Sequence, residues 1–82
     1  MTTEYVNEPV AVRVDFQGTK VLPRAMHWNN HLYAITSINM VHSTREGTNK
    51  RYFFSVSDDT NYFKLQLSTE NLEWRLMEMY AG

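Results

Sequence analysis

Apolar and polar residues alternate most clearly over residues 51–68, where two strand-like runs flank a polar cluster at 58–61. Residues of these types tolerate turn geometry and bond their own backbone, so the pattern predicts a β-hairpin. With Asp59 and Thr60 at the tip, one face pairs apolar residues: Tyr52 with Leu67, Phe54 with Leu65, and Val56 with Phe63. The other face pairs Ser57 with Tyr62, Ser55 with Lys64, and Phe53 with Gln66. A shift of one residue would destroy this match because side chains alternate between faces.

A second hairpin is predicted for residues 24–35, around Asn29 and Asn30. A tight type I′ turn needs positive φ at both central residues, which asparagine tolerates better than other non-glycine residues. This turn sets three cross-strand pairs: Met26 with Tyr33, Trp28 with His31, and Arg24 with Ile35. Since Ile38 and Met40 have the opposite parity to Tyr33 and Ile35, we expect a bulge near Thr36 and Ser37 that keeps all of them inward.

The remaining segments complete an all-β reading. Valines at 10, 12 and 14 and Phe16 alternate with polar residues, which predicts a half-buried strand that begins after Pro9. Residues 42–50 are polar and are expected to form an exposed, mobile connection. Residues 72–80 fit a strand or one helical face; a turn at 68–71 would favour the strand by setting Leu67 against Leu72, Leu65 against Trp74, and Phe63 against Leu76.

The sum is about six antiparallel strands in meander order. Their single apolar face must be hidden, so we expect the sheet to curl into a small barrel or half-barrel, with a curved sheet and a C-terminal helix as the alternative. Residues 9–82 would form one small β domain, and the polar residues 1–8 are expected to be disordered.

Composition excludes several classes of protein. The 82 residues include no cysteine, so neither a disulfide nor a thiolate metal site can support the small core. Eight Lys and Arg against nine Asp and Glu give a net charge of −1, whereas dedicated nucleic-acid binders are usually strongly basic. No apolar run approaches the roughly 20 residues of a membrane span, and the first residues lack the pattern of a signal peptide. We therefore expect a cytoplasmic protein that does not contact membranes.

The order of motifs along the chain resembles a known family. The motifs are P-x-x-M-x-W at 23–28, L-Y-A-I at 32–35, R-Y-F-F-S-V at 51–56, Y-F-K-L at 62–65, and W-R-L at 74–76 before Tyr80. Over residues 9–80 the chain is similar to small bacterial all-β domains of unknown function whose first hairpin carries W-x-G-R-x-Y. Here residues 28–33 lack both the glycine and the arginine, and Val41-His42-Ser43 stands where members tend to have a tryptophan. Some members are associated with translesion-polymerase-like genes, so the resemblance implies a DNA-repair setting.

Residues with catalytic or metal-binding chemistry are few. His27 and His31 would project to opposite faces of their hairpin, so with His42 they give no convergent set of zinc ligands. The acidic pairs are Asp58 with Asp59 at a hairpin tip, and Glu70 with Glu73 near the last turn. A catalytic pair needs a cleft that separates two pKa values, whereas Asp58 and Asp59 are placed to hydrogen-bond their own turn. We predict no enzyme activity, no cofactor and no metal.

One set of residues suggests binding instead. Phe53 and Tyr62 fall on the outward face of the 51–68 hairpin, and cations lie beside or just before them; the full set is Arg45, Lys50, Arg51, Phe53, Tyr62 and Lys64. Two hypotheses follow. The first, a protein-interaction module that binds a partner or itself, uses exposed aromatics, a free strand edge, or Met77 and Met79. The second is a weak nucleic-acid-binding or repair-accessory module in which rings stack on bases and cations follow phosphates. The alternative without a binding role is that other strands cover Phe53 and Tyr62.

Overall fold

The structure, a computed structural model, describes residues 2–81, which form β-strands joined by turns and contain no helix. The strands are β1 (Thr2–Pro9), β2 (Ala11–Gln17), β3 (Lys20–Trp28), β4 (His31–Ala34), β5 (Ser37–Glu46), β6 (Asn49–Ser57), β7 (Asn61–Ser68) and β8 (Trp74–Ala81). All the pairings between them are antiparallel, which confirms the predicted fold class. No helix that could cross a membrane is found in the described part of the chain.

The strands form two sheets and do not close into a barrel. The larger sheet has the order β1-β8-β7-β6-β5, and the smaller has the order β2-β3-β4. The chain changes sheet between consecutive residues: Ile35 N donates to Arg24 O at 2.9 Å, whereas Thr36 N donates to Ser57 O at 2.9 Å. The predicted single meander of about six strands is therefore too simple, since the described residues contain eight strands in two sheets. The alternative with a C-terminal helix is wrong, because β8 is a strand.

The core lies between the two sheets. Met26 and Ile35 come from the side of the smaller sheet, and they pack against a cluster on the larger sheet made of Phe54, Val56, Phe63, Leu65 and Leu76. Every member of this core is at most 8% exposed. Burial of this apolar area between the sheets is the main favourable term in folding, at roughly 25 cal/mol per Å².

Both predicted hairpins form with the predicted registers. In the β6–β7 hairpin all six pairs agree with the sequence pattern; its apolar face is buried at Phe54, Val56, Phe63 and Leu65 and half-buried at Tyr52 and Leu67. In the β3–β4 hairpin Met26 pairs with Tyr33 and Trp28 with His31. Asn29 and Asn30 have φ of 53° and 60°, as a type I′ turn requires.

Two segments expected to be irregular are strands. Residues 2–8, predicted to be disordered, belong to β1, which pairs with β8; Met1 lies outside the described residues. The segment 42–50, predicted to be a mobile connection, forms the end of β5, a turn with Gly47 at φ 61°, and the start of β6. Both segments pair through backbone hydrogen bonds, while the side chains of residues 3–8 and 42–50 are largely exposed, so no apolar alternation marks these segments.

Two details of register also differ from expectation. The bulge lies at Asn39 instead of Thr36 and Ser37, because Ile38 pairs with Val56 and Met40 pairs with Ser55. The bulge keeps Ile38 inward and turns Met40 outward, where it is 60% exposed.

In the β7–β8 pair, Leu67 faces Trp74 and Leu65 faces Leu76, a shift of two residues from the predicted pairing. The connection is longer than predicted, since Ser68 N donates to Glu73 O at 3.0 Å. A shift of two preserves the face of each side chain, so Trp74 and Leu76 still point to the core.

Candidate interaction site

The six residues predicted for binding are divided between the two faces of the larger sheet. Lys50 Nζ lies 5.0 Å from the centroid of the Tyr52 ring, which is on the core side of β6. Arg45 is the cross-strand partner of Lys50, and partners in a ladder share a face. Arg51, Phe53, Tyr62 and Lys64 occupy the opposite, outer face. The structure thus brings four of the six residues to one face and places Arg45 and Lys50 on the other.

The outer face carries an aromatic platform. His42 on β5 stacks on Phe53 with the ring centroids 5.1 Å apart and the planes at 15°. Lys64 Nζ lies 5.4 Å from the centroid of Phe53, so a cation covers part of the same ring. Tyr62 and Met40 lie nearby on this face and are 53% and 60% exposed. We call Met40, His42, Phe53 and Tyr62 the outer patch.

The ammonium group of Lys64 is paired with a carboxylate. Its ammonium lies 3.6 Å from Glu78 Oε2 on β8. The Glu78 carboxylate also accepts a hydrogen bond from the hydroxyl of Tyr80, and this bond raises the pKa of Tyr80. Lys64 is therefore part of a local network that joins β7 to β8 on the outer face. Of the two predicted cations on this face, Arg51 is the one without a carboxylate partner among residues 2–81.

One long edge of the larger sheet is open at β5. The strand is ten residues long, it pairs with β6 on one side, and no described strand pairs with its other side. Nine of its ten residues are exposed, and the tenth, Ile38, packs against the core. An edge of this kind presents a row of unpaired N–H and C=O groups.

Hydrogen bonds identify which β5 residues direct their backbone N–H and C=O groups to the free side of the strand. The carbonyl of Lys50 accepts from Thr69 N at 3.1 Å, so it points towards β7 and away from β5. Along a strand, the N–H and C=O groups of successive residues point alternately to the two sides. When these groups of a residue in β6 point away from β5, the residue opposite it in β5 points its own N–H and C=O away from β6, to the free side. Arg45, the partner of Lys50, therefore points its N–H and C=O to the free side of β5, as do Ser43 and Val41. We call the backbone groups of Val41, Ser43 and Arg45 the β5 edge.

The two acidic pairs noted in the sequence lie at or beside connections between strands. Asp58 Oδ1 accepts from Thr60 N at 2.9 Å and from Asn61 N at 2.7 Å, as expected for a residue that holds its own turn. Burial by itself raises the pKa of Asp58, but these hydrogen bonds outweigh burial and leave the pKa below the usual 3.8. Glu73 bonds Arg75 at 3.0 Å, while Glu70 and Asp59 are exposed.

The three histidines do not come together, although His31 lines a shallow cavity with Asp58 and Asp59. His27 pairs with Leu32, and His31 pairs with Trp28. Because these pairs are consecutive in the ladder, the rings of His27 and His31 lie on opposite faces of the smaller sheet. His42 is stacked on Phe53 in the outer patch. Within residues 2–81, no three side chains of His, Asp or Glu are grouped in a way that could hold a metal ion.

Sequence reasoning missed Met40 and His42 as members of the patch. The bulge at Asn39, which sets the direction of Met40, has no marker in the sequence, and His42 lay in a segment read as a loop. In comparisons with protein-family models, with curated proteins and with solved structures, nothing matches this chain. The resemblance to the W-x-G-R-x-Y domains stays a prediction.

Proposed function

We propose that the protein is a non-catalytic interaction module that binds a β-strand of another polypeptide, either a partner protein or a second copy of itself. The observation that carries this proposal is the open β5 edge, with outward N–H and C=O groups at Val41, Ser43 and Arg45. An extended segment that adds to such an edge gains main-chain hydrogen bonds, and pockets beside the edge select its side chains.

The two edges of the larger sheet are protected differently. The strand at the opposite edge, β1, ends in Pro9, contains Glu4 and Glu8, and is interrupted by an irregularity at Asn7 with φ 50°. Proline, charge and bulges are the usual means of blocking unwanted strand pairing. From Met40 to Thr44, β5 has no proline, no Asp, Glu, Lys or Arg, and a continuous ladder with β6. The contrast favours β5 as the edge that binds.

The outer patch supplies side-chain contacts next to this edge. Met40 and His42 lie on β5 itself, and Phe53 lies on β6 directly beneath His42. Methionine and aromatic residues are enriched in the cores of protein interfaces. A strand added to β5 would place its own outer-face side chains beside these residues and would cover part of the surface of Met40, which is 60% exposed.

Nucleic-acid binding is the second candidate, supported by the Phe53–His42 stack with Arg51 on the same face. It ranks lower because Lys64 is paired with Glu78, and because Arg45 and Lys50 lie on the other face. Binding to phosphates would weaken steeply as salt is added. A fluorescent single-stranded oligonucleotide whose polarisation rises at low salt and falls with added salt would favour this candidate over the first.

The matched variants Ser43→Pro and Ser43→Ala test the proposed strand addition. Proline removes the outward N–H of residue 43 without touching a bond to β6, and alanine keeps that N–H. Sedimentation at high concentration measures self-association, and affinity capture with each variant measures binding to partners. We expect the wild-type chain and Ser43→Ala to associate and Ser43→Pro to lose association, with all three equally folded by circular dichroism. Strand addition is refuted if the wild-type chain is a monomer and Ser43→Pro and Ser43→Ala capture the same proteins.

A further inference from the structure

An apolar cleft opens between the two sheets on the side of β5. Its floor is the core-side face of the larger sheet at Tyr52, Phe54 and Leu67, and its opposite wall is the start of β3 at Val21 and Leu22. The volume is about 430 Å³, within the roughly 300–1,000 Å³ typical of small-molecule sites. Ile38 and the half-exposed Val41 complete the apolar lining.

Two lysines lie at this apolar space. Lys20 is part of the lining, and Lys50 Nζ lies 5.0 Å from the centroid of the Tyr52 ring in the floor. Arg45 adds a third cation on the same face, opposite Lys50 in the ladder. None of the three has a carboxylate within 4.0 Å among the described residues. Asp15, the carboxylate of the β2–β3 hairpin, is already bonded to Arg24 at 3.0 Å.

We propose that this cleft binds a small amphiphilic anion, with an apolar chain or ring against Phe54 and Leu67 and an anionic group beside Lys20 and Lys50. The apolar part removes the lining from water, and the anion meets cations that no protein carboxylate neutralises. The same reasoning excludes cationic amphiphiles, which would meet Lys20 and Lys50 with like charge. This proposal does not rest on strand addition, because it is argued from the lining of the cleft and from the charges beside it. Val41 belongs to both sites: its side chain lines the cleft, and its backbone groups belong to the β5 edge.

Three probes of equal chain length test the charge requirement: octanoate, 1-octanol and octyltrimethylammonium. Each is titrated into the isotope-labelled chain, and amide chemical shifts are followed by NMR. We expect saturable shifts for octanoate that centre on Ile38, Phe54 and Leu67, with 1-octanol at least about threefold weaker and the cation weakest. Equal affinity for octanoate and 1-octanol, or shifts spread over the surface without saturation, would overturn the proposal.

Two variants locate the site, each with a control. Lys50→Gln should weaken octanoate about threefold, whereas Arg51→Gln, which removes the same charge from the outer face, should leave it unchanged. Val41→Trp fills the cleft from its exposed margin without removing a core side chain, and it should abolish octanoate binding while the chain stays folded. Undiminished octanoate binding by Val41→Trp, or equal losses in the two charge variants, would place the ligand elsewhere and overturn the assignment.

Discussion

The turn of the β6–β7 hairpin depends on one carboxylate. Asp58 Oδ1 accepts backbone hydrogen bonds from both Thr60 and Asn61, at 2.9 and 2.7 Å. The adjacent backbone bond from Asp58 N to Asn61 O, at 3.0 Å, does not involve this side chain. The change Asp58→Ala therefore removes two charge-assisted bonds from backbone N–H groups and two longer ones, from Thr60 Oγ1 at 3.5 Å and Asn61 Nδ2 at 3.4 Å. It leaves the ladder of the hairpin in place.

The expected loss can be bounded from these contacts. A hydrogen bond to a charged group contributes about 1.5–3 kcal/mol when shielded, but Asp58 is only half-buried at a hairpin tip. Removal of a side chain that caps backbone N–H groups in a comparable way, at a helix start, costs about 0.5–2 kcal/mol. We expect Asp58→Ala to lower the free energy of unfolding by about 1–2 kcal/mol. The neighbouring exposed Asp59 is the control, and Asp59→Ala should change it by less than about 0.5 kcal/mol.

The effect should depend on pH in a definite direction. The pKa of Asp58 in the folded chain lies below 3.8, the value expected in the unfolded chain. A lowered pKa stabilises the fold fully above the unfolded value, and this contribution is lost as the pH falls through the folded pKa. The difference between wild type and Asp58→Ala should thus be constant between about pH 7 and pH 5 and shrink towards about pH 2.

Urea denaturation followed by tryptophan fluorescence measures this difference at each pH. Wild type, Asp58→Ala and Asp59→Ala are compared under the same buffer conditions, so the shared titration of other groups cancels. The reasoning is refuted if Asp59→Ala costs as much as Asp58→Ala. It is also refuted if the gap between wild type and Asp58→Ala is as wide at about pH 2 as at neutral pH.

Three further predictions concern side chains whose positions the fold determines. Phe54→Ala should lower the free energy of unfolding by about 3–5 kcal/mol in denaturant titrations and Phe53→Ala by about 1 kcal/mol, because only Phe54 lies in the core; equal losses would put both rings on one side. Leu72 is 73% exposed with φ 59°, so Leu72→Gly should raise this free energy by about 0.5 kcal/mol, and a clear loss would contradict the left-handed backbone there. Asn30→Gly should preserve the melting temperature and Asn30→Ala should lower it, whereas equal melting temperatures would argue against the type I′ turn.

The two hairpins could be predicted because several levels of the sequence agree there. In β6 and β7 the apolar alternation, the turn residues and the cross-strand pairs all require the same register. In β3 and β4 the Asn29-Asn30 dipeptide fixes the turn, and the Met26–Tyr33 contact follows from it. Where pattern and turn chemistry agree, the tertiary structure has little freedom to override them.

The candidate site was harder to predict because it lies where such agreement is missing. The second half of β5 is polar on both faces and pairs through its backbone, so its sequence resembles a loop. Reading it as a loop placed Arg45 and Lys50 with the outer patch, whereas the ladder puts them on the core side. The bulge at Asn39 then reverses the direction of Met40, and no residue type marks it.

The same holds for the closure of the fold. The transfer between sheets at residues 35–36 depends on two hydrogen bonds to different strands, Ile35 to β3 and Thr36 to β6. Local alternation contains no information about which distant strand accepts each bond. A single curled meander and two sheets with a shared core are therefore equally compatible with the hydrophobic pattern.

Amide hydrogen exchange along β5 tests the open edge most directly. The N–H groups of His42 and Thr44 point to β6, whereas those of Val41, Ser43 and Arg45 point to the free side. In the dilute chain we predict slow exchange at 42 and 44 and fast exchange at 41, 43 and 45, with the three fast sites becoming slow when a strand adds. Uniformly slow or uniformly fast exchange over residues 41–45 in the dilute chain would contradict the proposed edge and the binding mode built on it.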